Sequence, residues 1–430
     1  ETGAAQDRFS SYLDRTEETE TTSQIDATYY KAICALRLDH HNASVLVEGF
    51  IEKYPESPRA NQAIFEIGNY LFNQKRYQRS LRWYQKMKTK KLSKDESYQY
   101  TFNTAYCYFA DKKYDTAEDL FYKIQEQPGP KKADAGYYYA YIQYLNKNYE
   151  TALGYFLELQ ESRKYGGIVP FYIAQVFYLQ EKYDKVIEFA PSLLDKANPD
   201  QKTEIARIIG DAFFRSNRYD EAIPYLEQYR DGVKKMSREE YYQLGFSYYQ
   251  NGQLEESVKE LEKVKDGDDV LSQNSNHLLG GILVNLDEKM KARSAFRKAS
   301  NLNHDRGIQE ESLLNYAKLS FDMSISGETL RAFEEFLEKF PESAYLDEAY
   351  DYLVKVFMNT RNYREALKTM DKISQKNSDN RAAYQRIAYY RGLELFNNLK
   401  YRDAIDHFDK SLVYDSFNSK LKALAYYWRG

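Results

Sequence analysis

The sequence predicts an all-α protein, a solenoid of about eleven helix-turn-helix units, and three observations support this prediction. Prolines are scarce, at 9 in 430 residues, and this favours helices because proline removes a backbone donor. A short motif recurs every 34 to 40 residues. The phrase FIEKYPES (Phe50–Ser57) returns almost unchanged as FLEKFPES (Phe336–Ser343). A chain that repeats one unit at a fixed period is expected to stack its units side by side.

The recurring motif predicts the second helix of each unit. It consists of an aromatic residue, two variable residues, a small residue and, four positions later, an aromatic residue or leucine. Pro55 and Pro341 follow such a helix in the two copies of the phrase, and the serine two residues later is expected to cap the next helix. The eleven copies begin at Ala43, Tyr77, Tyr114, Tyr149, Tyr183, Tyr219, Leu254, Lys289, Thr329, Tyr363 and Tyr401.

The first helix of each unit is predicted from the residues 16, 13, 12 and 9 positions before the small residue. These positions lie on one helical face at 100° per residue, and they carry large, large, small and apolar side chains in turn. The small residues would let two helices approach closely, and large ones would fill the neighbouring gap. In units two to eight the small residues are Gly68, Ala105, Ala140, Ala174, Gly210, Gly245 and Gly280.

This pattern resembles the tetratricopeptide repeat, whose 34-residue unit has Leu-Gly, then Tyr, then Tyr-x-x-Ala-x-x-x-[FY]. The resemblance implies a right-handed superhelix whose first helices line a concave groove. We predict that residues 27–430 form this solenoid with a truncated last repeat, because LAYYWRG (Leu424–Gly430) resembles IAYYRG (Ile387–Gly392). Residues 1–26 form an N-terminal segment, and its opening ETG is interpreted as a cloning scar in place of a removed signal peptide.

Composition and motifs exclude several classes of function. With 65 acidic and 61 basic residues, the chain lacks the positive field that non-specific nucleic-acid binding requires. It has no apolar run long enough to span a membrane and no catalytic, phosphate-binding or metal-binding motif. We therefore predict no enzyme activity and no cofactor. Cys34 and Cys107 are interpreted as buried packing residues. The basic run KMKTKKLSK (Lys86–Lys94) is either a solvated helix end or a docking patch.

Candidate ligand-binding residues lie 15, 11 and 8 positions before the small residue, on the other face of the first helices. Most of these positions in units two to seven are Phe or Tyr, which predicts an aromatic groove. The alternative is that the rings pack between repeats; Tyr106, Tyr141 and Phe246 are the strongest candidates for ligand contact. The groove residues are Phe65, Phe102, Tyr106, Phe109, Tyr137, Tyr141, Tyr144, Phe171, Tyr178, Arg207, Phe214, Tyr242, Phe246 and Tyr249.

The leading hypothesis is a non-enzymatic scaffold that binds a protein or peptide segment along this groove. The YPES and FPES phrases are similar to turns of bacterial cell-envelope tetratricopeptide proteins, so the expected location is the periplasm or envelope, with the cytoplasm as the alternative. A second hypothesis is glycan or peptidoglycan binding, for which Arg207 and Asp211 beside Phe214 would supply polar contacts. A third is a regulatory domain of a longer protein with an effector module beyond residue 430.

Overall fold

The computed structural model describes residues 2–16, 21–89 and 92–430, with Ser326 described for its backbone alone. Within these residues the chain forms 24 α-helices and a 3₁₀ turn (Ala190–Leu193), and no strand. The all-α prediction is therefore confirmed. The helices are α1 (Thr2–Arg15), α2 (Thr22–Arg37), α3 (Ala43–Lys53), α4 (Pro58–Asn73), α5 (Tyr77–Tyr84), α6 (Lys94–Ala110), α7 (Tyr114–Gln125), α8 (Lys132–Leu145), α9 (Tyr149–Glu158), α10 (Val169–Leu179), α11 (Tyr183–Phe189), α12 (Pro199–Arg215), α13 (Tyr219–Gly232), α14 (Arg238–Gln250), α15 (Leu254–Leu261), α16 (Val270–Asn285), α17 (Lys289–Asn301), α18 (Arg306–Asp322), α19 (Ser326–Lys339), α20 (Leu346–Asn359), α21 (Tyr363–Met370), α22 (Ser378–Asn397), α23 (Tyr401–Leu412) and α24 (Ser419–Arg429).

Eleven helical hairpins run from α2/α3 to α22/α23, as the motif predicts. They belong to two compact units, one up to Ile208 and one from Ile209 onward, with the division inside α12. Helix α24 takes the place of a first helix after the eleventh hairpin. Helix α1 was not predicted; it packs against α2, where Phe9 stacks on Tyr30 with ring centroids 5.4 Å apart.

The turn inside each hairpin has one conformation in units two to eleven. The residue two positions before the second helix has a positive φ, and it is a glycine in one case only, Gly252. In unit two, Lys75 N donates to Phe72 O at 2.8 Å and Arg76 N donates to Leu71 O at 2.9 Å. This pair of bonds is a Schellman motif, which satisfies the last carbonyls of the first helix and reverses the chain.

The predicted register of the second helix is wrong in units one and nine, by three residues in each. Helix α19 begins at Ser326 and not at Thr329, and Thr329 is the buried small residue of the motif. In unit one, Ala43 is itself the buried small residue. Both helices carry a further phenylalanine one turn later, Phe50 and Phe336. In unit nine the motif fits twice, and the predicted start is the later fit. In unit one the residue four positions after Ala43 is Val47, so only Phe50 supplies the ring of the motif.

The small residues of the first helices face the large residue of the second helix in the same hairpin. A Cβ added to Gly280 would lie 2.6 Å from the ring of Phe296, and one added to Gly392 would lie 2.6 Å from the ring of Phe408. The backbones of the two helices therefore approach to a distance that leaves no room for a methyl group. Cys34 and Cys107 are buried free thiols, as predicted, and burial raises the pKa of Cys107 to about 11.

The two copies of the repeated phrase do not act alike at the start of the next helix. Ser57 caps α4, since its Oγ accepts a hydrogen bond from Arg59 N at 3.2 Å. Ser343 instead accepts from Tyr345 N at 3.0 Å, and α20 begins after Tyr345 without a side-chain cap. The capping prediction is confirmed for the first copy and wrong for the second, where a longer turn separates the serine from the helix.

Candidate functional site

The predicted groove residues of the first compact unit lie on α4, α6, α8, α10 and the first half of α12, and two of them are inaccessible. Phe65 and Phe102 are 4% and 5% exposed. Phe65 packs in a core cluster with Leu81 and Tyr84, and Phe102 packs against Phe121. These two residues are part of the hydrophobic core, so their assignment to a ligand-binding surface is wrong. The other twelve predicted residues are partly exposed.

Tyr106 is the centre of a ring cluster that joins α4, α6 and α8. Its ring centroid lies 5.5 Å from that of Phe72, 5.1 Å from Tyr77, 6.1 Å from Phe109 and 5.1 Å from Tyr138. Most of these pairs are edge-to-face, the arrangement that aromatic quadrupoles favour. Tyr106 therefore packs adjacent first helices together while part of its ring remains at the surface.

Tyr141 continues the same row of rings from α8 to α10. Its centroid lies 5.9 Å from Phe109, 6.3 Å from Tyr144 and 5.6 Å from Tyr172. Tyr137 joins the row through Tyr141, and Phe171 joins it through Tyr172. Burial raises the pKa of Tyr141 and of Tyr144 above the ordinary value for tyrosine. These phenols are thus uncharged at neutral pH and able to donate hydrogen bonds.

The second compact unit contains a smaller ring cluster around Phe246 of α14. Phe214, Tyr219, Tyr242 and Tyr249 each place a ring centroid within 6.3 Å of that of Phe246. Tyr219 is the turn aromatic of the hairpin motif and the first residue of the second helix α13. Within this unit, the rings of the first helices and of the turn therefore form one cluster.

Sequence reasoning missed two leucines that are more exposed than any predicted groove residue. Leu145 and Leu179 are 39% and 42% exposed, and they are the last residues of α8 and α10. Each directly follows a predicted ring, Tyr144 or Tyr178. The signal was available, because an apolar residue occurs at one position of two consecutive repeats, 34 residues apart, where the preceding units have Asn73 and Ala110.

The polar residues that suggested glycan binding are occupied by protein partners. Arg207 donates two hydrogen bonds to Glu204, at 2.7 and 3.0 Å, and lies over the ring of Tyr178. The bond from Arg207 to Glu204 raises the pKa of the guanidinium further. Asp211, buried in the second compact unit, accepts from Arg215 at 2.7 Å and from Gln243. The glycan hypothesis therefore gains no support from these residues.

The described residues contain no group of three or more His, Cys, Asp and Glu side chains that could hold a metal ion. Among the same residues, no helix has both the length and the apolar character that crossing a membrane requires. His277, on α16, hydrogen-bonds Ser312 at 2.9 Å, and burial lowers its pKa. The surface of the first helices thus offers apolar and hydrogen-bonding contacts.

Comparison with known proteins identifies the repeat. A family model described as the tetratricopeptide repeat matches residues 208–269, which cover the end of α12 through α15. No curated protein sequence matches the chain. Solved structures with some likeness include MamA from Desulfovibrio magneticus RS-1, at 20% identity over 40% of this chain and 96% of that one, with a TM-score of 0.34. Another is YrrB, described as a tetratricopeptide-repeat protein with an unusual peptide-binding site, at 15% identity over 44% and 93%, with a TM-score of 0.35. TM-scores this low support no conclusion about this chain.

Proposed function

Since the chain is built from tetratricopeptide repeats, we propose that it is a non-enzymatic scaffold that binds an extended polypeptide segment along its first helices. The observation that carries this proposal is the row of partly exposed rings on successive first helices, flanked by the exposed side chains of Leu145 and Leu179. Exposure of these aligned apolar side chains to water is unfavourable, and their burial against a bound apolar segment would recover that free energy.

The rings alone are a poor subject for mutation because they also pack the repeats together. Leu145 and Leu179 separate the two roles, since their exposed side chains can be removed with little loss of packing. Leu157, at 46% exposure on the second helix α9, provides a matched control of the same residue type outside the proposed groove.

The test is a selection of peptides from a random library on the full chain, followed by affinity measurement with the selected peptides. The Leu145→Ser, Leu179→Ser double variant is expected to weaken binding by about tenfold, equivalent to about 1.4 kcal/mol. Leu157→Ser should leave the affinity within about twofold. Equal affinity of the double variant and the wild type would contradict the proposal, and so would a selection that enriches no peptide.

We further propose that the protein acts in the bacterial cell envelope. The support is the similarity of the phrase at Phe50–Ser57, and of its second copy, to turns of cell-envelope tetratricopeptide proteins. The native gene is then expected to encode a signal peptide, and fractionation of native cells should recover the protein outside the cytoplasm. Recovery in the cytoplasm alone would contradict the location without touching the binding proposal.

A further inference from the structure

The second helix α5 and the turns around it carry an uninterrupted excess of positive charge. Residues 67–94 contain nine lysines and arginines and no aspartate or glutamate, in a chain with a net charge of −4. The run KMKTKKLSK belongs to this segment, and Lys90 and Lys91 lie outside the described residues. The charge is thus concentrated in the second repeat and is not a property of the whole protein.

Three of these cations lie on the outward side of α5 or in the turn directly after it. Arg79 and Arg82 are three residues apart on α5, which places them on one helical face, and Lys86 lies in the turn two residues after the helix ends at Tyr84. The opposite face is buried through Ser80, Leu81 and Tyr84. We name Arg79, Arg82 and Lys86 the α5 basic face; Lys75, Arg76 and Lys88 are exposed at its two ends.

The α5 basic face is almost without internal partners. Of the six cations, only Arg79 lies within 4.0 Å of a carboxylate in the described part of the chain, at 3.9 Å from Glu48. Lys86 contacts the ring of Trp83, with its Nζ 4.3 Å from the centroid, which holds the ammonium at the surface. The face therefore retains charges that no residue of the same repeat neutralises.

Helix α17 shows that such charges are paired elsewhere in this protein. It carries five cations and no carboxylate, and each cation lies within 4.0 Å of an acidic side chain, either in the turn before α17 or in another part of the fold. A second helix that carries only cations therefore does not by itself leave those cations unpaired. The α5 basic face differs because the chain supplies one weak partner for it.

The backbone around the α5 basic face is held in place. The side chain of Asn61 accepts a hydrogen bond from Lys88 N at 2.7 Å and donates one to Lys88 O at 3.2 Å. Met87 is buried between the exposed lysines. An ordered backbone reduces the entropy that a partner must overcome on binding.

From these observations we propose that the α5 basic face binds an acidic polypeptide segment, at a site separate from the groove of the first helices. Helix rise places Arg79 and Arg82 about 4.5 Å apart along the axis of α5, and Lys86 lies in the turn that follows the helix. Alternate side chains of an extended strand are about 6.6 Å apart. An extended segment with repeated acidic residues can therefore bring carboxylates to the cations on α5 and to Lys86 in the turn after it.

A polyanion of larger extent fits this surface less well. Glu48 lies next to Arg79 on one side, and on the other side Gln78 donates to Asp111 at 3.0 Å. A nucleic-acid duplex or a membrane surface would extend past the α5 basic face and meet these carboxylates, which repel it. A short acidic segment covers the cations alone.

The test measures binding of a fluorescent peptide of alternating Glu and Ser to the full chain at low salt. The Arg82→Glu, Lys86→Glu variant is expected to weaken binding by at least about tenfold. The matched control is Lys289→Glu with Lys291→Glu on α17, which changes the net charge equally at exposed sites and should stay within about twofold. Added salt should weaken the wild-type complex.

Several outcomes would overturn the inference. They are absence of binding to the wild type, equal losses in both charge-reversal variants, and tighter binding of duplex DNA or anionic lipid vesicles with the same dependence on Arg82 and Lys86. The Leu145→Ser, Leu179→Ser variant should bind the acidic peptide normally, and a loss there would place the peptide in the groove instead. The two binding proposals can thus fail independently.

Discussion

Helices α5 and α17 are built alike on the inside and differently on the outside. Both are second helices that place an aromatic residue, Tyr84 or Phe296, against a glycine of the preceding first helix, Gly68 or Gly280. Both carry cations and no acidic residue. The cations of α17 are paired within the protein, whereas five of the six on and around α5 have no carboxylate within 4.0 Å in the described ranges.

This difference shows that the composition of a helix does not determine what its charges do. The partners of α17 come from other elements, such as Glu328 and Glu335 on α19. Two further partners, Asp287 and Glu288, directly precede α17 in the sequence, whereas no acidic residue occurs close to α5 in the sequence. Charges that the fold pairs contribute to stability, and charges that it leaves unpaired are available to a partner.

The largest expected effect is the loss of Arg293 from α17. Arg293 pairs with Glu328, donates to Ser320 Oγ at 2.8 Å and to Tyr316 Oη at 3.1 Å, and its side chain is 14% exposed. Arg293→Ala removes several charge-assisted bonds at once and should lower the free energy of unfolding by about 2–3 kcal/mol, measured by urea denaturation.

The control for Arg293 is Lys291 on the same helix, whose side chain is 68% exposed and pairs with Glu288. Exposed pairs contribute little, so Lys291→Ala should cost less than about 0.5 kcal/mol. Equal losses of unfolding free energy in the two variants would show that burial of an ion pair on α17 does not increase its contribution to stability.

The shared inner face of the two helices is tested by two adjacent glycines. Gly280→Ala would place a methyl group against Phe296 and should cost about 2 kcal/mol. Gly281 lies in the same helix with no atom within 4 Å of an added Cβ, so Gly281→Ala should raise stability by about 0.5–1 kcal/mol. Gly68→Ala is expected to cost about as much as Gly280→Ala, measured in the same urea series. A stabilising effect of Gly68→Ala or of Gly280→Ala would contradict the shared packing.

The paired charges of α17 also predict a pH dependence. Burial would raise the pKa of Glu335, but hydrogen bonds from Lys339 and Arg297 outweigh it and hold the pKa below its ordinary value. The folded state therefore binds this proton less readily than the unfolded state. The stabilisation is present above the ordinary glutamate pKa and is lost as the pH falls through the lower, folded-state value.

Glu335→Gln should accordingly reduce the difference in stability between pH 7 and pH 3 by about 1 kcal/mol, measured by urea denaturation at both pH values. Glu338 is exposed on the same helix, with no cation within 4.0 Å among the residues described, and Glu338→Gln serves as the control. If both variants keep the wild-type pH dependence, the ion pairs of Glu335 do not stabilise the fold.

The sequence was sufficient to predict the hairpins, because each hairpin carries its own local signals. A turn aromatic, a small residue and a ring repeat at fixed distances, and ten of the eleven second helices begin at the predicted residue. It was insufficient for the register of units one and nine, because Phe50 and Phe336 match the ring of the motif but lie about one helical turn after Val47 and Phe333, the buried residues four positions after the small one. Helix α1 has only the weak pattern of Phe9, Tyr12 and Leu13 and does not carry the repeat motif, so the motif does not predict it.

The candidate site was predicted as a set of positions, and their accessibility could not be predicted. Phe102 and Tyr137 stand at the same offset in consecutive repeats, yet Phe102 is buried and Tyr137 is partly exposed. The offset places a ring between neighbouring helices, and the surrounding side chains decide how much of it they cover. Leu145 and Leu179 are exposed for the same reason, since helix ends have fewer neighbours than helix centres.

The smallest expected effect completes the comparison of α5 with α17. Arg82 has no carboxylate within 4.0 Å in the described residues and lies on the exposed face of α5. Arg82→Ala should change the free energy of unfolding by less than about 0.5 kcal/mol in either direction, because no ion pair and little packing are lost. Urea denaturation of this variant beside Arg293→Ala gives the contrast directly. A loss of unfolding free energy close to that of Arg293→Ala would mean that Arg82 is paired in solution. That result would contradict the proposal that the α5 basic face binds an outside partner.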